Sequence, residues 1–213
     1  IGTSTQAATD EAENRAQAVR HVYDFEDIGQ AVAGRFPEPA RQALESRPDV
    51  RYVEAEGTVE AIAETLPGGV DRIDADVAQS NGRTGSGVDI AIIDTGIDSD
   101  QPDLTDNVGS GKAYVDCGVA YNGGTCSGNG NTCNQVWDDD DDHGTHVSGT
   151  VGAVDNDQAV IGIAPDATLH PIKALDCAGT GYLSDIAAGL EYTADQGWDV
   201  ANLSLGSTTS DVQ

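Results

Sequence analysis

Residues 88–93, Val-Asp-Ile-Ala-Ile-Ile, form a nearly unbroken apolar run that stops at Asp94-Thr95-Gly96. A strand that is apolar on both faces has to be covered on both, as in a parallel sheet between layers of helix. The segments that follow keep to this plan. Residues 143–153 are helix-compatible and rich in small side chains. Residues 167–175 read as a strand, 182–196 as an amphipathic helix stopped by Gly197, and 199–205 as a further strand. Strands alternating with helices predict an α/β domain built on a parallel sheet. Ligands of such sheets bind beyond the carboxyl ends of the strands, and Asp94 stands at one of those ends.

The first 62 residues follow a different pattern. Residues 1–10 are small and polar and are expected to fray. A helix is predicted near 11–17, strands at 18–25 and 31–35, a helix at 37–46 opened by Pro37, and a strand at 49–54. This is a small α+β block, too short for an enzyme of its own. Residues 55–87 read as a connector, and 105–134 as a long loop rich in Gly and Asn.

Charge narrows the function. Against 37 Asp and Glu there are 10 Lys and Arg, a formal net charge of −27. Such a surface repels nucleic acid and anionic membranes. Regularly recurring apolar runs argue against disorder despite the charge. A salt-rich medium, where screening relieves self-repulsion, suits it better. No stretch reaches the roughly 18–20 apolar residues of a membrane span, no signal peptide is seen, and the chain begins with Ile rather than Met, so a processed or truncated start is expected. Cys117, Cys126, Cys133 and Cys177 include no CxxC pair, which disfavours zinc. Three pairings are open, and one or two disulfides in an extracellular protein are expected.

Two residue types then define a chemistry. A carboxylate at a strand end, followed by Thr-Gly, can be buried and held by backbone N–H groups; it can fix one tautomer of an imidazole and stabilise the protonated ring. His143, 49 residues after Asp94, opens a helix able to lie over that strand end. The run Asp138–Asp142 before it reads as a solvated acidic loop, with a cation site as the alternative.

The motifs Asp94-Thr-Gly-Ile-Asp98, Pro102-Asp-Leu104, His143-Gly-Thr-His-Val-Ser-Gly-Thr150, Ile161-Gly-Ile-Ala-Pro165 and Asn202-Leu-Ser-Leu-Gly206 occur in this order. Together they resemble the subtilisin-like serine peptidases, over about residues 64–213. The resemblance implies a subtilisin-like fold, with Asp94 as the triad acid and His143 as the general base. His146 is structural. Gly179, Thr180 and Gly181 on one side, and Ser204, Leu205 and Gly206 on the other, form two edges between which a substrate peptide adds as a strand. The family's nucleophilic serine, in a Gly-Thr-Ser turn, and its oxyanion Asn both follow later in the chain. No Gly-Thr-Ser follows His143 within these residues, so the stretch is expected to be truncated and inactive by itself.

The resemblance also implies calcium, held by the backbone oxygens of Val154, Gln158 and Val160, the Asn156 side chain, the Asp103 carboxylate, and Glu64 where the family carries Gln. It makes residues 1–62 an inhibitor-type propeptide of ferredoxin-like fold, its first strand lost before Ile1, ending in an extended tail that lies in the active cleft, with its cleavage site near 62–63. It makes 63–213 the amino-terminal part of a catalytic domain, from a secreted, halolysin-like precursor. The expected partners are polypeptide substrates and the chain's own propeptide as intramolecular inhibitor, and the complete protein is expected to be a monomer. The loop around 109–134 lengthens the Asp94–His143 spacing beyond that of the short family members. The alternative is a non-catalytic, subtilase-like module that binds calcium or peptide.

Overall fold

The computed structural model describes residues 2–3, 6–25, 29–61, 69–121, 123–126, 132–156 and 160–206. The chain divides into two compact units, residues 1–56 and 57–213.

In the first unit the elements run β1 (Gly2–Thr3), α1 (Gln6–Arg15), β2 (Ala18–Phe25), β3 (Gly29–Arg35), α2 (Glu38–Glu45) and β4 (Val50–Tyr52). The sheet order is β2-β3-β1-β4 and every pairing is antiparallel. This βαββαβ connectivity is the split βαβ arrangement of ferredoxin-like folds. Ala12 of α1, Val32 of β3 and Leu44 of α2 form its core, joined by Phe36 and Val53. Pro37, at φ −68°, caps α2, where its missing N–H costs nothing. Two expectations are corrected. Gly2–Thr3 fills the central strand position that the sequence placed before Ile1. Helix α1 begins at Gln6, inside the stretch expected to fray.

The second unit contains β5 (Thr58–Ala61), α3 (Gly69–Arg72), α4 (Ala75–Ser80), β6 (Asp89–Asp94), β7 (Lys112–Ala113), α5 (His143–Gly152), β8 (Thr168–Lys173), β9 (Thr180–Tyr182), α6 (Leu183–Gln196), β10 (Val200–Asn202) and β11 (Leu205–Gly206). Four strands form a parallel sheet in the order β10-β6-β8-β7. The α/β expectation is met, and the reason lies in the alternation along β6. Ile90 and Ile92 face one core with Ile97, Leu104, Leu169 and Val147 of α5. Ala91 and Ile93 face the other, with Ile172, Leu175 and Ile186 of α6. Both faces of β6 are covered, so every second residue has to be apolar on each side. Helix α6 ends at Gly197, whose φ of 73° is the left-handed cap conformation that glycine adopts without strain.

The connector and the long loop hold more structure than expected. Residues 58–61 and 69–80 contribute a strand and two short helices, and Lys112–Ala113 adds a fourth strand beside β8. Two disulfides form, Cys117–Cys133 and Cys126–Cys177.

The acidic run 138–142 overturns its expectation. Asp138, Asp139 and Asp140 are buried. The carboxylate of Asp138 accepts the Gln135 amide at 2.6 Å and the Ser99 amide at 3.3 Å. Asp140 accepts the Gly118 amide at 2.6 Å and the Lys173 ammonium at 2.5 Å. Lys173 is itself fully buried at the end of β8, and its ammonium also donates to the Thr95 and Leu175 carbonyls at 2.6 and 3.1 Å. Buried charge is tolerated only when paired and hydrogen-bonded in this way.

Removing one partner of that pair leaves the other charge buried and uncompensated. Lys173→Ala is expected to cost about 3–5 kcal/mol in urea denaturation, whereas Lys173→Met combined with Asp140→Leu costs distinctly less. Equal losses for the single and double variants would show that the pair does not hold the loop.

Candidate active site

The carboxyl end of β6 and the first turn of α5 meet at two glycines. A Cβ on Gly144 would stand 2.2 Å from the Gly96 carbonyl oxygen. A Cβ on Gly96, at φ +112°, would stand 2.4 Å from the Trp137 carbonyl oxygen. Neither position accepts a larger residue without moving backbone, so the glycine after each key residue sets how closely helix approaches strand.

At that approach His143 Nδ1 lies 2.8 Å from Asp94 Oδ1. Asp94 is fully buried and the His143 side chain is 13% exposed. The Thr95 amide donates to the same Asp94 oxygen at 2.7 Å. The Thr95 hydroxyl accepts the Gly144 amide at 2.8 Å, tying the strand end to the helix start a second time. Burial pushes the Asp94 carboxyl above its ordinary value, against the opposing hydrogen bonds from His143 and the Thr95 amide.

The helix start is held from below by Asp139. One of its oxygens accepts the Asp141 and Asp142 amides at 3.0 and 3.1 Å; the other accepts the amide and hydroxyl of Thr145 at 2.8 and 2.5 Å. Asp139 thus does the work of a helix cap from outside the helix, where a negative charge also suits the dipole. Thr145 Oγ1 in turn accepts the Asp98 amide at 2.9 Å, joining the Asp94–Asp98 motif to the His143–Thr150 motif. The Asp98 and Asp141 carboxyls are both raised, burial being the largest cause in each. His146 lies on an exposed face of α5.

The residues of the two expected edges lie on or beside short strands. Strand β9 holds Thr180 and Gly181, with Gly179 in the preceding turn, and β11 holds Leu205 and Gly206, with Ser204 just before it. Ser204 Oγ accepts from the Asn202 side chain at 3.1 Å. Strand β5 lies between them in a sheet of order β11-β5-β9, antiparallel to both. Glu60 is in register with Thr180 on one side and Gly206 on the other.

The candidate cation ligands are brought together in part. The Asp103 carboxylate is buried, with Asn156 Nδ2 at 3.4 Å from one oxygen and the Val160 amide at 3.3 Å from the other. The Val154 amide donates to the Asp103 carbonyl at 2.8 Å. Charge-assisted hydrogen bonds run nearer 2.7–2.9 Å. Among the described residues the groups facing this carboxylate are N–H donors at longer distances, so the oxygen ligand available here for a hard cation is the Asp103 carboxylate itself. Glu64 and Gln158 lie outside the described residues, as does the expected cleavage site at 62–63.

Three participants were missed in the sequence: Thr95, Asp139 and Lys173. Lys173 carried a usable signal, being one of two lysines and the only charge within the apolar run 169–175. Asp139 was hidden among five consecutive aspartates.

Comparison with known proteins shows the family. The subtilase family model matches residues 85–213. The alkaline protease of Alkalihalobacillus alcalophilus is 38% identical over 196 residues, which is 92% of this chain and 46% of that protein. Subtilisin E of Bacillus subtilis is 37% identical over 179 residues, 84% of this chain and 42% of its own length. Subtilisin Savinase of Lederbergia lenta is 43% identical over 145 residues, 68% and 47% respectively. The chain belongs to the subtilase family. It spans about half the length of the curated relatives it matches.

The raised Asp94 carboxyl sets a pH dependence. A carboxyl whose folded pKa lies above its ordinary 3.8 favours folding in its protonated form. Its contribution is full below that value and is lost as pH rises through the raised one. Asp94→Asn, neutral at every pH, should therefore gain stability relative to the unsubstituted chain as pH climbs from below 3.8 through the raised value. Urea midpoints whose difference stays constant over that range would refute it.

Proposed function

We propose that this chain is the front part of a serine endopeptidase precursor, contributing the acid and the base of an Asp-His-Ser triad. The observation that carries the reading is the 2.8 Å hydrogen bond between His143 Nδ1 and buried Asp94, in a chain of the subtilase family. With Nδ1 committed to the carboxylate, the tautomer is fixed and proton transfer runs through Nε2. In this reading Nε2 takes the proton of the family's serine as it attacks a peptide carbonyl, then returns it to the leaving amine. Asp94 orients the ring and stabilises the imidazolium.

Polypeptide substrates are proposed to lie between β9 and β11, with Gly179–Gly181 and Ser204–Gly206 pairing their backbone. Residues 1–62 are proposed as the propeptide and intramolecular inhibitor of a zymogen, an idea supported by β5 pairing antiparallel with both edges. Two disulfides suit an oxidising, extracellular setting. The charge of −27 suits a halophilic protein. Among the described residues no helix is long and apolar enough to cross a membrane. The complete protein is proposed to act as a monomer.

No Gly-Thr-Ser follows His143 in these 213 residues. The 213-residue chain alone is therefore expected to show no hydrolysis sensitive to serine-directed inhibitors. In a longer, active protein carrying it, His143→Ala should lower kcat by several orders of magnitude. Activity unaffected by His143→Ala would end the triad reading.

We further propose that Asp103, Val154, Asn156 and Val160, with Glu64 and Gln158, hold calcium. Bound there, the ion would supply structural cross-linking between the Asp103 turn and the loop after α5. Calcium at about 100 times its dissociation constant should stabilise the chain by about 2.7 kcal/mol, reversed by a chelator. Asp103→Asn should abolish that gain in a thermal melt; a gain that survives the substitution would place the ion elsewhere.

A further inference from the structure

The loop joining β7 to α5 grips the neighbourhood of one substrate edge at several points. Its disulfide Cys126–Cys177 is anchored in the turn that leads from β8 to β9. That turn is organised by buried Asp176. One oxygen of Asp176 accepts the Ala178 and Thr180 amides at 3.0 and 3.1 Å, and the other accepts the Tyr121 amide of the loop at 3.0 Å. The Tyr121 hydroxyl reaches the Ala174 carbonyl at 3.3 Å and donates a short hydrogen bond to Asp185, in the first turn of α6. The Tyr121 ring packs edge-on against Tyr182, the last residue of β9, with centroids 4.7 Å apart. The loop is closed on itself by Cys117–Cys133, and its Gly118 amide donates to Asp140, the partner of buried Lys173.

The grip therefore falls before β9, at its end, and on the helix that follows it. Strand β9 is short, three residues, and one of its sides carries β5. A strand this short, left to its own hydrogen bonds, is poorly held. An edge that wavers charges every peptide that adds to it the entropy of ordering it; an edge already fixed does not.

We infer that Tyr121 and the Cys126–Cys177 disulfide form a brace that preorganises β9 as the edge receiving an extended polypeptide, with Tyr121 as its positioning residue. The inference rests on the reading of β9 and β11 as the two walls of the substrate slot. It adds a determinant of substrate binding that lies in the loop, outside the triad and outside both walls.

Amide hydrogen exchange on the 213-residue chain tests it without any turnover. Tyr121→Ala should speed exchange of residues 178–183 and 58–61 by about tenfold or more, with β6 and β8 unmoved, since opening of one edge is a local event. Tyr121→Phe, which keeps the ring against Tyr182 and loses the hydroxyl bonds, should give an intermediate increase. Joint replacement of Cys126 and Cys177 by Ser should act on the same segments. Exchange at 178–183 unchanged in both Tyr121 variants overturns the brace, as does an equal rise across β6 and β8, which would mark general loss of stability. Residues 58–61 exchanging at the unprotected rate in the unsubstituted chain would remove the slot reading and the brace's purpose with it. Protection at 58–61 that no variant disturbs removes the brace alone.

Discussion

The ammonium of Lys173 is the point on which the site depends. It sits at the carboxyl end of β8, in register with Asp94 on β6, fully buried. Its three bonds reach the strand end carrying Asp94, through the Thr95 carbonyl; the chain beyond β8, through Leu175; and the acidic run before His143, through Asp140. A cation at that place lets a loop of consecutive aspartates turn inward beside a hydrophobic core. Without it, Asp140 would be a buried charge with only the Gly118 amide to compensate it. Asp139 and Asp138, fixed by backbone amides on either side, carry the ordering on to the first turn of α5, and so to His143.

The aspartates of this chain therefore serve two ends. Asp94, Asp103, Asp138, Asp139, Asp140, Asp176 and Asp185 are buried and hold turns, helix starts or the base. Among the described residues the exposed acids make the surface strongly negative. The surface acids act through the general field, which salt screens. The buried ones act through individual hydrogen bonds, which salt scarcely touches.

Most of the second unit was legible because its signals are local. The apolar run of β6, the small residues of α5 and the Gly197 stop of α6 each state their own structure. The Asp94–His143 pair was legible because each residue sits in a motif whose glycine permits the approach. What stayed hidden depended on distant partners. Burial of Asp138–Asp140 is decided in part by Lys173, 33 positions further along from Asp140, and by amides of the disulfide loop. The two-residue strands Gly2–Thr3 and Lys112–Ala113 are too short to show a period, and exist because an open edge or gap in a sheet accepts them. Strand β5 was read as connector, since nothing in Thr58–Ala61 marks it as a strand until two edges flank it.

In the proposed reading of β9 and β11 as the walls of a peptide slot, strand β5 also fixes the terms of competition for those edges. It is part of the same chain, so its local concentration at the slot is of the millimolar order typical of a short tether, and does not fall on dilution. A free peptide present at micromolar levels, with comparable affinity, loses to it almost always. On that reading, a cut between Ala61 and α3 would leave the pairings of β5 with β9 and β11 to a segment that can diffuse away, an ordinary ligand in place of a permanent neighbour. Control of such a slot would lie in covalent connection, and one broken peptide bond would alter occupancy more than most substitutions in either wall.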